Sequence, residues 1–273
     1  MAFWPWHAEE EIIFMKIVIF AGGIGTRISE ESYLKPKPMI EIGEKPILWH
    51  LMKIFEAQGF NDFIICVGYK SYIIKEYFLN YYVYNSDITV NLLTNSFEVH
   101  RSNTEKFRVT IVDTGLKTKT AGRLKRAQHY IGHEDFILTY GDGLADVNLK
   151  ELVAYHRENG KIATVTAVQP AGRFGLLGLE DDLRVSSFKE KLQGDGGWIN
   201  GGFFVLKSEV FSYLPENSDS LMWEDYPLEK LSQDNQLIAY KHSGFWQCMD
   251  AMRDKDILEQ LWKSGRAKWK IWE

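Results

Sequence analysis

Cysteine is scarce. Two residues among 273, Cys66 and Cys248, cannot build a disulfide framework or a cysteine-rich zinc site. That usage fits a reducing compartment, so a cytoplasmic protein is expected. No apolar run approaches the ~20 residues that a membrane-crossing helix requires, and no membrane partner is expected. A basic surplus is missing as well: 32 Lys and Arg stand against 37 Asp and Glu, a net charge of −5. Bulk binding to a nucleic-acid duplex is thereby disfavoured, and no nucleic-acid partner is expected. The remaining balance, 45% hydrophobic and 25% charged, is that of an ordinary globular chain. Aromatic side chains stand out, at 14% with nine Trp.

Residues 1–14, MAFWPWHAEEEIIF, lack the basic start and the longer apolar stretch of a secretory signal. Glu9, Glu10 and Glu11 argue against a transit peptide. We read this segment as an extension preceding one domain over residues 15–273. Lys16–Ala21 is a β-branched apolar run that predicts a buried strand. Pro46 and Gly59 bracket a helical pattern. Residues 62–67 predict a second buried strand and 71–80 a second helix. Residues 85–113 hold alternating runs without helix signals. A helix is expected over 123–130, strands over 136–140 and 162–168, and a helix between them capped by Asn148 with Glu151. Further on, 176–179 with 184–188 predict a hairpin, and 198–206 a strand. Helices are expected near 225–233 and 252–264. The pattern implies an α/β fold: a Rossmann-like open, mixed but mostly parallel sheet wrapped by helices, with antiparallel insertions.

In such sheets ligands bind beyond the carboxyl ends of the strands. After the first strand comes Ala21-Gly22-Gly23-Ile24-Gly25-Thr26-Arg27. It fails the dinucleotide fingerprint, because Ile28 stands at the third glycine position, and it lacks the lysine of a Walker A loop. What remains is a backbone able to approach an anion closely, followed by Arg27, whose fork suits phosphate. Lys35-Pro36-Lys37-Pro38-Met39 follows, with two lysines on a stiffened segment. A glycine turn with a solvated basic loop would give the same letters, but the pair directly after a first strand favours an anion site.

A-G-G-x-G-T-R with K-P-K-P-M resembles the sugar nucleotidylyltransferases, over residues 15–273. The resemblance implies that Arg27 and Lys37 are catalytic, contacting the nucleotide phosphates and the leaving pyrophosphate. It places Ala21, Gly22, Gly23, Gly25 and Thr26 around the nucleotide. Asp142, in Tyr140-Gly141-Asp142-Gly143, and Asp250, in Phe245–Asp250, would hold Mg²⁺. Taken alone, Asp142 could serve as a turn residue, and Asp250 could cap the helix beginning near Met252. Glu190 and Lys191 would bind the sugar hydroxyls and phosphate, although Leu192 replaces the family's usual proline. Asn200 and Gly201 would contact the sugar.

Within that family, several stretches resemble the members that make CDP-glucose and pyrophosphate from CTP and glucose 1-phosphate. They are residues 47–50, 112–115, 118–124, 172–175 and 198–204. Such members serve dideoxyhexose synthesis for surface polysaccharides such as the lipopolysaccharide O-antigen. Thr118, Gly122 and Arg123 would then line the cytosine and triphosphate side. Spacing alone does not separate CTP from UTP, dTTP or GTP. A non-catalytic sugar-nucleotide sensor is the reading of another class; it predicts loss of the aspartates or the basic loop, and all are present. The resemblance also implies a homo-oligomer, such as the hexamer often formed by relatives. The aromatic, basic stretch 262–272 is either a subunit contact or a tail folded on its own domain. His129 and His133 lack the Glu of a zinc helix, and no zinc is expected.

Overall fold

The computed structural model of the chain describes residues 15–25, 28–102, 104–170, 176–179, 185–189 and 197–273. The first half comprises β1 (Lys16–Ala21), α1 (Ser29–Ser32), β2 (Glu41–Ile42), β3 (Lys45–Pro46), α2 (Ile47–Glu56) and β4 (Asp62–Val67). Then come α3 (Ser71–Tyr84), β5 (Ser86–Asn91), β6 (Ser96–Ser102), β7 (Arg108–Asp113) and α4 (Thr120–Ile131). The second half adds β8 (Phe136–Tyr140), β9 (Gly143–Ala145), α5 (Leu149–Asn159), β10 (Ala163–Val168), β11 (Leu176–Leu179) and β12 (Val185–Lys189). It closes with β13 (Ile199–Leu206), α6 (Tyr226–Gln233), β14 (Leu237–His242), β15 (Trp246–Cys248) and α7 (Met252–Lys263).

One seven-stranded sheet runs β14-β10-β13-β8-β1-β4-β7. β1 pairs in parallel with both β4 and β8, and β4 with β7. β13 is antiparallel to β8 and β10, which makes the sheet mixed. The β1 run is buried on both faces, as a central strand between helix layers must be. Ile17 and Ile19 face one core with α2, α5 and α7. Val18 and Phe20 face the other, with Leu124 of α4 and Trp223. Among the described residues, no helix is long and apolar enough to cross a membrane.

Two helix starts differ from the sequence reading. α2 begins after Pro46, which occupies the cap position in an extended conformation. α4 begins at Thr120 rather than Arg123. Its first turn is anchored from outside: the Lys119 and Ala121 amides donate to the carbonyls of Asp219 and Leu221. The expected cap of α5 is present, with Asn148 accepting from the Glu151 amide at 3.1 Å.

The segment 262–272 folds back on its own chain. Trp269 is fully buried. Its ring packs near Phe245, Trp262 and the His50 imidazole of α2, while Trp272 meets Trp49 edge-on. This cover explains why α2 is buried almost all round. The alternating middle region splits into two parts. β7 joins the sheet, whereas β5 and β6 form a separate two-stranded ribbon. On one face of the ribbon Ile88 pairs with Val99 and Val90 with Phe97. Ile88, Val90 and Phe97 are exposed there, as are Leu92 and Leu93 at the tip.

Candidate active site

A cavity of about 320 Å³ opens beyond the carboxyl ends of β1 and β8, beside the central strand where open α/β sheets receive ligands. Ala21, Gly22, Gly23 and Gly25 form one wall. Lys37, Asp142 and Asp250 form a second, and Thr118 and Arg123 lie on a third. Sequence positions more than 200 residues apart thus share one space. Thr26, Arg27, Glu190 and Lys191 lie outside the described residues, as do 172–175.

Lys37 sits on a single turn, Lys37–Met39, entered from extended Pro36. Its ammonium donates to Asp142 Oδ2 at 2.5 Å and to Asp250 Oδ1 at 2.7 Å. Burial opposes the charged form, but the two carboxylates outweigh it and hold the Lys37 pKa above its ordinary value. The carboxylates are brought together by main chain. β9 and β15 pair antiparallel, Cys248 against Gly143, and the Met249 amide donates to Asp142 O at 2.9 Å. Asp250 does not cap α7. Asp254 reaches back from the first turn and accepts from the amides of Asp250 and Ala251 at 3.0 and 2.9 Å. The Asp250 side chain is thereby left on the cavity wall. Cys248 is not a ready nucleophile: burial, and then the surrounding carboxylates, push its thiol up to about 12.

Arg123 is 4% exposed, and its fork is engaged by main-chain and hydroxyl acceptors. Nη2 donates to Gly22 O at 2.9 Å. Nη1 donates to Val67 O, Thr114 Oγ1 and Gly115 O at 3.1, 2.6 and 3.0 Å. One guanidinium thus ties together the ends of β1, β4 and β7, sharing Gly22 O with the Tyr69 amide and Val67 O with the Thr114 amide. A Cβ at Gly22 would fall 2.1 Å from Arg123 Nη1 and would displace the guanidinium. Arg123 lies on the cavity wall, where its sequence reading put it, and it also holds the loop that lines the cavity.

Gly122, unlike Arg123, is not among the residues of the cavity wall. A Cβ there would meet Asp219 Cα at 2.6 Å, so it serves the contact between α4 and the 218–220 turn. Thr118 is buried on the wall. Gly201 packs against its own sheet, where a Cβ would meet Val168 at 2.7 Å; its carbonyl accepts from Trp246 Nε1 at 2.8 Å. Asn200 is exposed and lies at the margin, its Nδ2 3.4 Å from Tyr140 Oη.

The sequence reading missed residues 219–224. Met222 lines the cavity. Glu224 accepts from Tyr140 Oη at 2.6 Å and Thr120 Oγ1 at 2.8 Å, both on residues of the cavity wall. Burial, and then Glu224, raise the Tyr140 pKa, so its hydroxyl stays a donor. No motif marks this segment. The available signal was a Trp-Glu pair in a stretch without helical or strand periodicity.

A family described as Nucleotidyl transferase matches residues 16–259. A glucose-1-phosphate cytidylyltransferase of Salmonella typhi is 52% identical over 260 residues, covering 95% of this chain and all of that protein. A probable glucose-1-phosphate cytidylyltransferase of Bacillus subtilis (strain 168) is 45% identical, covering 94% of this chain and all of the relative. Among solved structures, HddC from Yersinia pseudotuberculosis superposes with a TM-score of 0.66 at 24% identity, over 91% of this chain and 100% of that one. That likeness carries the fold; the sequence identities carry the relationship. The chain belongs to the nucleotidyl transferase family, and within it to the glucose-1-phosphate cytidylyltransferases.

Proposed function

We propose that the chain transfers the cytidylyl group of CTP to α-D-glucose 1-phosphate, giving CDP-glucose and pyrophosphate. The 52% identity with a glucose-1-phosphate cytidylyltransferase over nearly the whole of both chains carries this reading. The convergence of a glycine loop, a lysine and two carboxylates in one cavity supports it. The domain spans residues 15–273, acts in the cytoplasm, and supplies CDP-glucose for dideoxyhexose units of surface polysaccharide such as the O-antigen.

A sugar-phosphate oxygen forms a bond to the α-phosphorus of CTP as the bond to the β-phosphate oxygen breaks. Both reactants are anions, so the protein's work is alignment and neutralisation of charge. The glycine loop lets main chain approach the nucleotide. Lys37 and Arg27 stabilise the negative charge that grows on pyrophosphate. Lys191 draws in the sugar phosphate, Glu190 and Asn200 its hydroxyls, and Thr118 faces the base. Arg123 and Glu224 position these groups without touching the reacting atoms.

Asp142 and Asp250 fit a divalent cation. They are hard oxygen donors that already share one cation, the Lys37 ammonium. Two carboxylates suffice for Mg²⁺, which takes its other ligands from phosphate oxygens and water. Bound there, Mg²⁺ would screen the α-phosphate and the leaving group.

The deciding experiment offers CTP, UTP, dTTP and GTP separately with glucose 1-phosphate and follows pyrophosphate release. CTP is expected to react fastest; equal rates with the pyrimidine nucleotides would overturn the cytosine assignment. Asp142→Asn and Asp250→Asn should each lower turnover by about 10²–10³. The chain also forms a homo-oligomer, with the uncovered apolar face of the β5–β6 ribbon seated on a second copy. A two-stranded ribbon alone is marginally stable in water, which gives that face a reason to seek cover.

A further inference from the structure

The wall formed by Lys37, Asp142 and Asp250 has one movable member. Asp142 and Asp250 are fixed at their backbones by the β9–β15 ladder, the Met249 amide and the start of α7. Lys37 ends in a long, flexible stem. The three side chains are only 12–26% exposed, so solvent screens their charges weakly. The ammonium lies within hydrogen-bond distance of both carboxylates, at the place where a cation shared by the pair would sit.

Removing that ammonium would take away a cation that two neighbouring carboxylates share at partial burial, which costs free energy. A divalent cation arriving alone gains the carboxylates but must displace the ammonium they share. A nucleotide triphosphate changes this balance. It brings phosphate oxygens that can accept Lys37 and also complete the metal's coordination shell.

We propose that Lys37 is a resident counter-cation that keeps a divalent metal out of the Asp142–Asp250 pair until a nucleotide arrives. This rests on the reading of Asp142 and Asp250 as metal ligands. The lysine thus has two successive partners, carboxylate before nucleotide entry and phosphate after it. The order of assembly follows: metal enters with or after the nucleotide, not before it.

The consequence runs against the usual effect of damaging a site. Lys37→Met should turn over poorly, yet bind metal more tightly than the wild type when no nucleotide is present. The test titrates the full-length protein with MnCl₂ and reads free Mn²⁺ by electron paramagnetic resonance, without nucleotide. We expect Lys37→Met to bind on the order of 5–100-fold more tightly than wild type, and Lys37→Arg, which keeps the charge, to stay near wild type. CTP should tighten Mn²⁺ binding strongly in wild type and only weakly in Lys37→Met. Equal or weaker binding by Lys37→Met overturns the proposal. Adding Asp142→Asn and Asp250→Asn to Lys37→Met separates the two ideas. Binding that survives those changes defeats the metal-ligand reading; binding that is lost with them, but was never tightened by Lys37→Met, defeats only the counter-cation. If thermal melting shows Lys37→Met to be unfolded, Lys37→Gln makes the same comparison with a neutral side chain of similar reach.

Discussion

Two aromatic and aliphatic segments of this chain meet opposite fates. The 262–272 segment carries three Trp and folds onto α2, where Trp269 disappears from solvent. The β5–β6 ribbon carries Ile88, Val90, Leu92, Leu93 and Phe97, and leaves them exposed. Composition does not separate them, since both are rich in large apolar side chains. Geometry does. The tail lies over the face of α2 that carries Trp49 and His50. The ribbon stands apart from the seven-stranded sheet and has one face of its own to cover. A large apolar side chain is therefore a request for cover, and topology decides whether the same chain supplies it.

The largest break in this comparison comes from the tail. Trp269→Ala should cost about 3–5 kcal/mol, because it leaves a cavity between α2 and α7. A fall in the urea midpoint is the readout, and a variant as stable as wild type would make the tail an accessory.

Acid attacks the same place. His50 is buried, with Nε2 2.7 Å from Ile42 O and Nδ1 3.4 Å from Trp269 Nε1, so the donor of that second pair is the indole. Burial lowers its pKa from 6.5 to about 4. The unfolded chain therefore takes up the proton first. Stability is intact above pH 6.5 and is lost progressively as pH falls towards 4, by roughly 3 kcal/mol for this group. His156, also lowered to about 4 by burial, adds in the same direction. His50→Gln should flatten the pH dependence of the urea midpoint; an unchanged slope would remove His50 from acid sensitivity.

The smallest effect on the folded chain belongs to the ribbon. Val90→Ser with Phe97→Ser should change its stability by less than about 0.5 kcal/mol, as exposed positions do. The pair should nevertheless shift sedimentation from oligomer to a smaller species. Unchanged sedimentation would move the subunit contact elsewhere, and a large loss of stability would show that the ribbon is covered within its own chain.

Much of the fold was legible because local chemistry decided it. β1 and β4 are β-branched runs with no polar interruption, and Asn148 spells out a helix start. The glycine loop, Lys37 and the two aspartates were legible as motifs, and the structure brings them to one cavity. Three features were not legible, each for a tertiary reason. The first turn of α4 contains Gly122, a poor helix former, and is fixed by carbonyls from residues 219 and 221. Arg123 reads as a phosphate grip in any basic motif; only the fold reveals four main-chain and hydroxyl acceptors converging on it. The period of two across residues 85–113 is the same for a strand inside the sheet and for a ribbon standing clear of it.

The ladder between β9 and β15 has a consequence in time. Asp142 leaves the ribosome more than 100 residues before Asp250, and the two meet only after the second strand has docked on the first. A growing chain that has reached its glycine loop, its basic segment and its first carboxylate still lacks the second carboxylate. Competence arrives late and at once, when the last elements close over α2 and hand the second carboxylate to the first. An unfinished or clipped chain therefore lacks one of the two carboxylates that face each other across Lys37.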